Sequence, residues 1–285
     1  MGKTAIAIKN LSFAYTPNEF ILKDISFDIG EHEFVAIIGE NGAGKSTLLK
    51  NITGLLKPTS GQILINGKNT KEVPIAKLAN EVGYVLQNPD RQLFAQTVWQ
   101  EVAFGLKNSD LSQVLIKEKV EKALHRVGLN SLAEEFPPSL SKSTRAKVAI
   151  AAVLAMEPKI IILDEPTVGQ DYKGISQIMD LAAEFYAAGH TVVLVTHQMS
   201  LVSEYCERII ALYQGKVLLD TTTRDFFAHI EELKKTKIRP AEITQLGYDL
   251  SLKLPLAQVF LSTQELGEEL LKLRTQKNMR TGTEG

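Results

Sequence analysis

The chain has 285 residues, 44% of them hydrophobic and 23% charged, with a formal net charge of −1. That suits one large folded domain, or one of about 200 residues with a small extra piece, and gives no electrostatic support for nucleic-acid binding. A single cysteine, Cys206, excludes an intramolecular disulfide and points to a reducing compartment, and no apolar run reaches the ~18–20 residues of a membrane span.

Residues 5–13 alternate apolar and polar side chains, as a strand with one buried face does; they do not read as a secretory signal. Residues 25–34 repeat the pattern, with a turn at Gly30-Glu31. The next run, 34–38, is apolar throughout, as in a parallel strand buried on both faces. It passes through glycines into a helix predicted over about 45–56, and 61–67 forms another short strand. Residues 89–156 read as mainly helical, broken at Pro137-Pro138. Two further buried strands follow, at 160–163 and 191–196, with a helix over about 173–188 between them that ends at Gly189. Residues 209–219 close the body as a hairpin turning at Gln214-Gly215. Composition changes at the charged stretch 231–237 and at Pro240. Beyond it, 241–274 reads as helical, with a capping box at Ser262-Thr263-Gln264-Glu265, and 275–285 has too few apolar residues to pack and is expected to fray. The expected organisation is an α/β domain over 1–232 and a C-terminal helical extension over 233–285. The domain combines a mostly parallel core sheet, an antiparallel β subdomain and a helical insertion over about 88–157.

The stretch "GENGAGKST", 39–47, fits the phosphate-loop pattern G-x-x-x-x-G-K-[ST] and lies between a buried strand and a helix. Gly39, Gly42 and Gly44 let successive N–H groups point at phosphates, and the helix that follows turns its positive end to the same anion. Lys45 adds a point charge there, and the Ser46 hydroxyl can hold Mg²⁺. In "IIILDE", Asp164 stands at the end of a buried strand, placed to reach Mg²⁺, and Glu165 can polarise an attacking water. His197 ends the third buried strand at the same sheet edge, where it can contact a γ-phosphate or hold the water and glutamate in line.

Together these motifs resemble the ATP-binding cassette (ABC) family over about residues 5–220. The resemblance implies an ABC-type P-loop ATPase that binds ATP and Mg²⁺. It implies that Tyr15 stacks on adenine, and that Gly39, Glu40, Asn41, Gly42, Ala43, Gly44, Lys45, Ser46 and Thr47 form the Walker A motif. Gln87 matches the glutamine that contacts Mg²⁺ and senses the membrane partner. Asp164 matches the Walker B aspartate, Glu165 the catalytic glutamate, His197 the switch histidine, and 169–171 the D-loop. Residues 87–105, "QNPDRQLFAQTVWQEVAFG", and the C-terminal extension resemble the energy-coupling-factor (ECF) ATPases of cobalt/nickel and vitamin importers. That implies a peripheral protein on the cytoplasmic face of the cell membrane, paired with a second ABC ATPase through its extension. It also implies a transmembrane coupling protein as partner and, through it, a substrate-binding membrane protein. Leu93, Phe94, Val98 and Trp99 are candidates for lining the docking groove, with core packing as the alternative for each. An ATPase of another ABC branch stays open. A soluble ABC protein acting on DNA or ribosomes is disfavoured by the near-zero charge and the lack of a second cassette or long coiled coil.

The chain departs from the family at Leu140-Ser141-Lys142-Ser143-Thr144, where the resemblance leads one to expect Leu-Ser-Gly-Gly-Gln. Ser141, implied to touch the partner's ATP, is kept; both glycines are lost, and a helix is expected from about Thr144. A side chain at 142 or 143 is expected to limit close approach or to force a strained backbone, at roughly 1 kcal/mol. The charge of Lys142 could offset lost attraction, or its bulk could hold the subunits apart. Gln170, where an aliphatic residue is usual, is a second departure and a candidate compensating change. The pattern favours a heterodimer with one strong and one weak site, with a homodimer still open. It also leaves open the weakly hydrolysing partner of an asymmetric pair.

Overall fold

The first two strands, β1 (Thr4–Ala14) and β2 (Phe20–Gly30), pair antiparallel from Thr4 opposite Gly30 to Ala14 opposite Phe20. The computed structural model describes residues 3–229, 238–256 and 259–281. β2 starts five residues before the expected strand, because bulges along the pair interrupt the alternation that marked only its later half. β3 (Phe34–Gly39) runs into α1 (Lys45–Ile52). That helix ends four residues short of the expected 56, since Gly54 takes a left-handed φ of +76° and the Leu56 N–H turns back to Lys50 O at 2.9 Å. β4 (Ser60–Ile65), β5 (Lys68–Asn69), α2 (Ile75–Ala79) and β6 (Val82–Val85) follow. The helical insertion contains α3 (Val98–Ala103), α4 (Gln113–Arg126) and α5 (Lys142–Met156), joined by 3₁₀ turns, one of them at Pro137–Ser139. Then come β7 (Ile160–Asp164), α6 (Tyr172–Ala187), β8 (Thr191–Val195) and α7 (Met199–Tyr205). β9 (Arg208–Tyr213), β10 (Lys216–Thr222) and α8 (Thr223–Ala228) complete the body. The β9–β10 hairpin turns at Gln214 (φ +48°) and Gly215 (φ +80°), the paired positive angles of a two-residue turn.

Four strands form an antiparallel sheet in the order β2-β1-β4-β5. Six form the main sheet, β10-β9-β3-β8-β7-β6, parallel except for β10. Alternate residues of β3 serve two cores: Phe34, Ala36 and Ile38 pack towards the helical insertion and α6, Val35 and Ile37 towards α1 and the antiparallel sheet. β6, absent from the sequence-based expectation, is one of the two edge strands; it has four residues and contains Gly83. A Cβ there would collide with Val153 of α5, so the glycine that weakened the strand signal is what lets α5 close on the sheet.

The C-terminal segment contains α9 (Glu242–Ser251) and α10 (Thr263–Thr281), broken between them around Pro255. It packs on the body: Ala241 joins the core that holds Phe226 and Phe227, and Arg224 bridges to Glu265 at 2.8 Å. At the expected capping box, Ser262 Oγ accepts from Glu265 N–H at 3.1 Å, while the Glu265 carboxylate takes the Leu261 N–H at 3.0 Å. The expected boundary at 232/233 lies outside the described residues. Of the segment expected to fray, the backbone is helical to Thr281, and 282–285 lie outside the described residues.

Candidate active site

The ends of three neighbouring parallel strands bring the predicted residues together. Ile37 of β3 and Asp164 of β7 both pair with Val195 of β8, so Gly39, Glu165 and His197 follow within two residues of one level. Gly44 caps α1 with φ +103°, and a Cβ there would stand 2.7 Å from Leu22 Cδ2. At Gly42 (φ +84°) there is room for a Cβ, and the backbone angle alone favours glycine. Asn41, Gly42 and Ser46 are exposed, whereas Ala43, Gly44 and Thr47 are buried. Lys45 Nζ donates to Gly39 O at 2.7 Å and Glu40 O at 3.0 Å, folding its ammonium into the loop. Burial pushes its pKa below the usual lysine range, opposed by the charges of Glu165 and Asp164. Tyr15 stands beside the loop, 57% exposed, edge-on to Phe13 and with its hydroxyl 3.4 Å from Thr47 Oγ1.

Asp164 is buried and accepts from the Tyr84 hydroxyl at 2.9 Å. Burial raises its pKa above the usual carboxylate range; Tyr84 and Lys45 act against that and Glu165 with it. Glu165 has a left-handed φ of +49° and donates its N–H to Val195 O at 2.8 Å. Its Oε1 lies 2.8 Å from His197 Nδ1, and its Oε2 is buried with no hydrogen-bond partner among the described residues. The His197 ring is 70% exposed, so this edge is open to a ligand. A buried carboxylate, an exposed hydroxyl at the start of a helix and an orphaned carboxylate oxygen fit a phosphate ester with Mg²⁺, a hard ion that takes few protein ligands beside phosphate oxygens.

Gln87 is exposed just past β6. Gln92 braces this loop, accepting from Leu86 N–H at 3.1 Å and donating to Tyr84 O at 3.4 Å. Of the four candidates for the docking groove, Val98 is fully buried in the core, and Leu93 and Trp99 pack against it. Their apolar character is accounted for by packing, because α3 is sandwiched against α5. Phe94 is 63% exposed and meets exposed Phe104 edge-on, with centroids 4.7 Å apart.

Ser141 is the N-cap of α5, its Oγ accepting from Thr144 N–H at 3.1 Å. The helix begins at Lys142, before the expected Thr144. Lys142 and Ser143 therefore have ordinary right-handed helical backbone, and the expected strain from the lost glycines is absent. Sequence reasoning passed over Tyr84, Gln92 and Arg145. Arg145 pairs with Asp90 at 2.6 Å and donates to Pro138 O at 3.2 Å, tying the segment after Gln87 to the start of α5. The signal for Tyr84 was a hydroxyl-bearing aromatic in an otherwise apolar strand three residues before Gln87.

Residues 22–168 match the ABC transporter family. The energy-coupling factor transporter ATP-binding protein EcfA2 of Ligilactobacillus salivarius is 41% identical over 281 residues, covering 94% of this chain and 97% of that protein. The solved structure of cbiO1 from Clostridium perfringens, part of the ABC transporter complex cbiONQ, is 37% identical. It superposes with a TM-score of 0.74 over 87% of this chain and 99% of its own. A dimeric ATP-binding cassette in a post-hydrolysis state, bound to ADP and Pi, is 32% identical with a TM-score of 0.70, over 77% of this chain and 99% of its own. Other relatives are longer: the chain spans 46% of one from Caldanaerobacter subterraneus and 42% and 40% of two from Methanosarcina species.

Proposed function

The chain belongs to the ABC transporter family of ATP-binding proteins, and from that premise we propose that it is the ATP-hydrolysing motor subunit of an ECF-type importer. It couples ATP binding and hydrolysis to uptake of a vitamin or transition-metal ion through a membrane coupling protein. The supporting observation is the contact of His197 with Glu165, 2.8 Å, at the sheet edge that also carries Lys45 and Asp164. The loop 39–47 and the start of α1 receive the phosphates, with Lys45 as the fixed positive charge. Ser46, Asp164 and Gln87 would hold Mg²⁺. Bound Mg²⁺ would neutralise charge on the phosphate oxygens. Glu165, hydrogen-bonded through Oε1 to His197, is the carboxylate that accepts a proton from the attacking water. Tyr15 stacks on adenine, and Ser141 at the exposed start of α5 faces the ATP of a second ATPase.

No described helix is long and apolar enough to cross a membrane. The ECF-type reading puts the protein peripherally on the cytoplasmic face. The exposed Phe94–Phe104 pair, both within the stretch 87–105, receives the coupling protein, and a substrate-binding membrane protein is engaged indirectly. The C-terminal helices pair the two ATPases. The companion is a related ATPase with both glycines of Leu-Ser-Gly-Gly-Gln in preference to a second copy, a preference resting on side-chain bulk at 142–143 and no longer on backbone strain.

The test is ATP turnover by the chain assembled with its coupling protein and companion, beside Glu165→Gln. A fall of ~10²–10³ with ATP binding retained is expected; an unchanged rate would sink the proposal. Glu165-dependent turnover by the chain alone would favour the homodimer. Uptake of a vitamin or metal ion into vesicles holding the complex reads the substrate class and direction.

A further inference from the structure

The two departures from the family pattern, at 142–143 and at 170, meet within one chain. Ser143 Oγ, on the first turn of α5, donates to Gln170 Oε1 at 2.6 Å. Lys142 lies over Gly169, so closely that a Cβ there would stand 3.0 Å from its Nζ. From Gln170 the backbone returns to Glu165 through two closed turns: Gln170 N–H to Thr167 O at 3.1 Å, and Val168 N–H to Glu165 O at 3.2 Å. On the other side, Asp171 caps α6 by accepting the Gly174 N–H at 2.8 Å. The stretch 165–171 is thus a short braced link, with Glu165 at one end and the Ser143 contact at the other. A glycine at 143 has no hydroxyl to donate, and an aliphatic residue at 170 has no oxygen to accept. The bond needs both departures together.

We propose that Ser143 and Gln170 are positioning residues for hydrolysis. Their bond fastens the exposed start of α5 to the turn that carries Glu165, so that the loop and the carboxylate move as one body. Neither residue touches a reacting atom. The proposal rests on Glu165 being the hydrolytic carboxylate. Lys142 lies over Gly169, where the left-handed φ of +76° itself favours glycine.

The test is a double-mutant cycle in the complex assembled with its coupling protein and companion ATPase: Ser143→Ala, Gln170→Ala and both together. Each single variant is expected to lower kcat roughly five-fold, as one lost hydrogen bond does, and the double variant no further. KM for ATP should move less than about two-fold, because the nucleotide contacts are untouched. Ser143→Thr, which keeps the hydroxyl, should restore the rate. Thermal midpoints separate this from a merely structural contact, which would lower the midpoint and leave kcat alone. Glu165-dependent turnover with unchanged kcat in the single variants, or with additive losses, would overturn the proposal alone. Turnover that does not depend on Glu165 would overturn the functional reading and this proposal with it.

Discussion

At the ends of β3, β7 and β8 the functional side chains hang on backbone that has almost no alternative, whereas at the start of α5 they stand on an ordinary exposed helix turn. Gly44 is held at φ +103° against buried Leu22, and Gly39 comes so close to Leu212 O that no Cβ fits. Lys142 and Ser143 are helical, and Ser143 has found a polar partner 27 residues away. The difference teaches where glycine is obligatory. In the phosphate loop it answers a conformation and a contact within the chain; at 142–143 it answers no backbone conformation, so its loss brings no strain there.

The largest expected effect sharpens that contrast. Gly44→Ala adds a Cβ at a left-handed angle and 2.7 Å from Leu22 Cδ2, and should weaken ATP binding more than about ten-fold in a fluorescent-nucleotide titration. Ser143→Gly should leave that affinity within about two-fold, and should lower turnover instead of raising it towards the family pattern. If Gly44→Ala binds ATP normally, the two regions do not differ as described.

A second test lies inside the phosphate end. Burial raises the Asp164 pKa, so the folded chain disfavours the charged form relative to the unfolded one. Its contribution to stability is present at low pH and lost as pH rises through the folded-state pKa. Asp164→Asn should therefore raise the thermal midpoint of the nucleotide-free chain at neutral pH while abolishing turnover. The gain should vanish below the usual carboxylate range; a lower midpoint at neutral pH would contradict it.

The smallest effect belongs to the far end of α5. Glu157, at a left-handed φ of +49°, contacts Lys119 and Lys122, and the Lys119 hydrogen bond draws its pKa below the usual range. Here the sign reverses: stability is present above the unfolded carboxylate value and lost as pH falls through the folded one. With the carboxylate side chain 41% exposed, Glu157→Gln should cost at most a few tenths of a kcal/mol at neutral pH and nothing in strong acid, as read from pH-dependent melting.

Much of the candidate site's placement was legible in the chain order. The phosphate loop after an apolar strand, the acids after another and the histidine after a third all report local backbone and burial, which periodicity and motif spacing encode. The Gln214-Gly215 turn and the start of α10 were readable for the same reason. Only the tertiary structure decided that Tyr84 holds Asp164 across 80 residues, that Val98 is core while Phe94 is surface, and that Lys142 and Ser143 sit in strain-free helix against Gly169 and Gln170. Those outcomes depend on which strands and helices become neighbours. That is set by burial summed over the whole sheet, and no local stretch of sequence contains it.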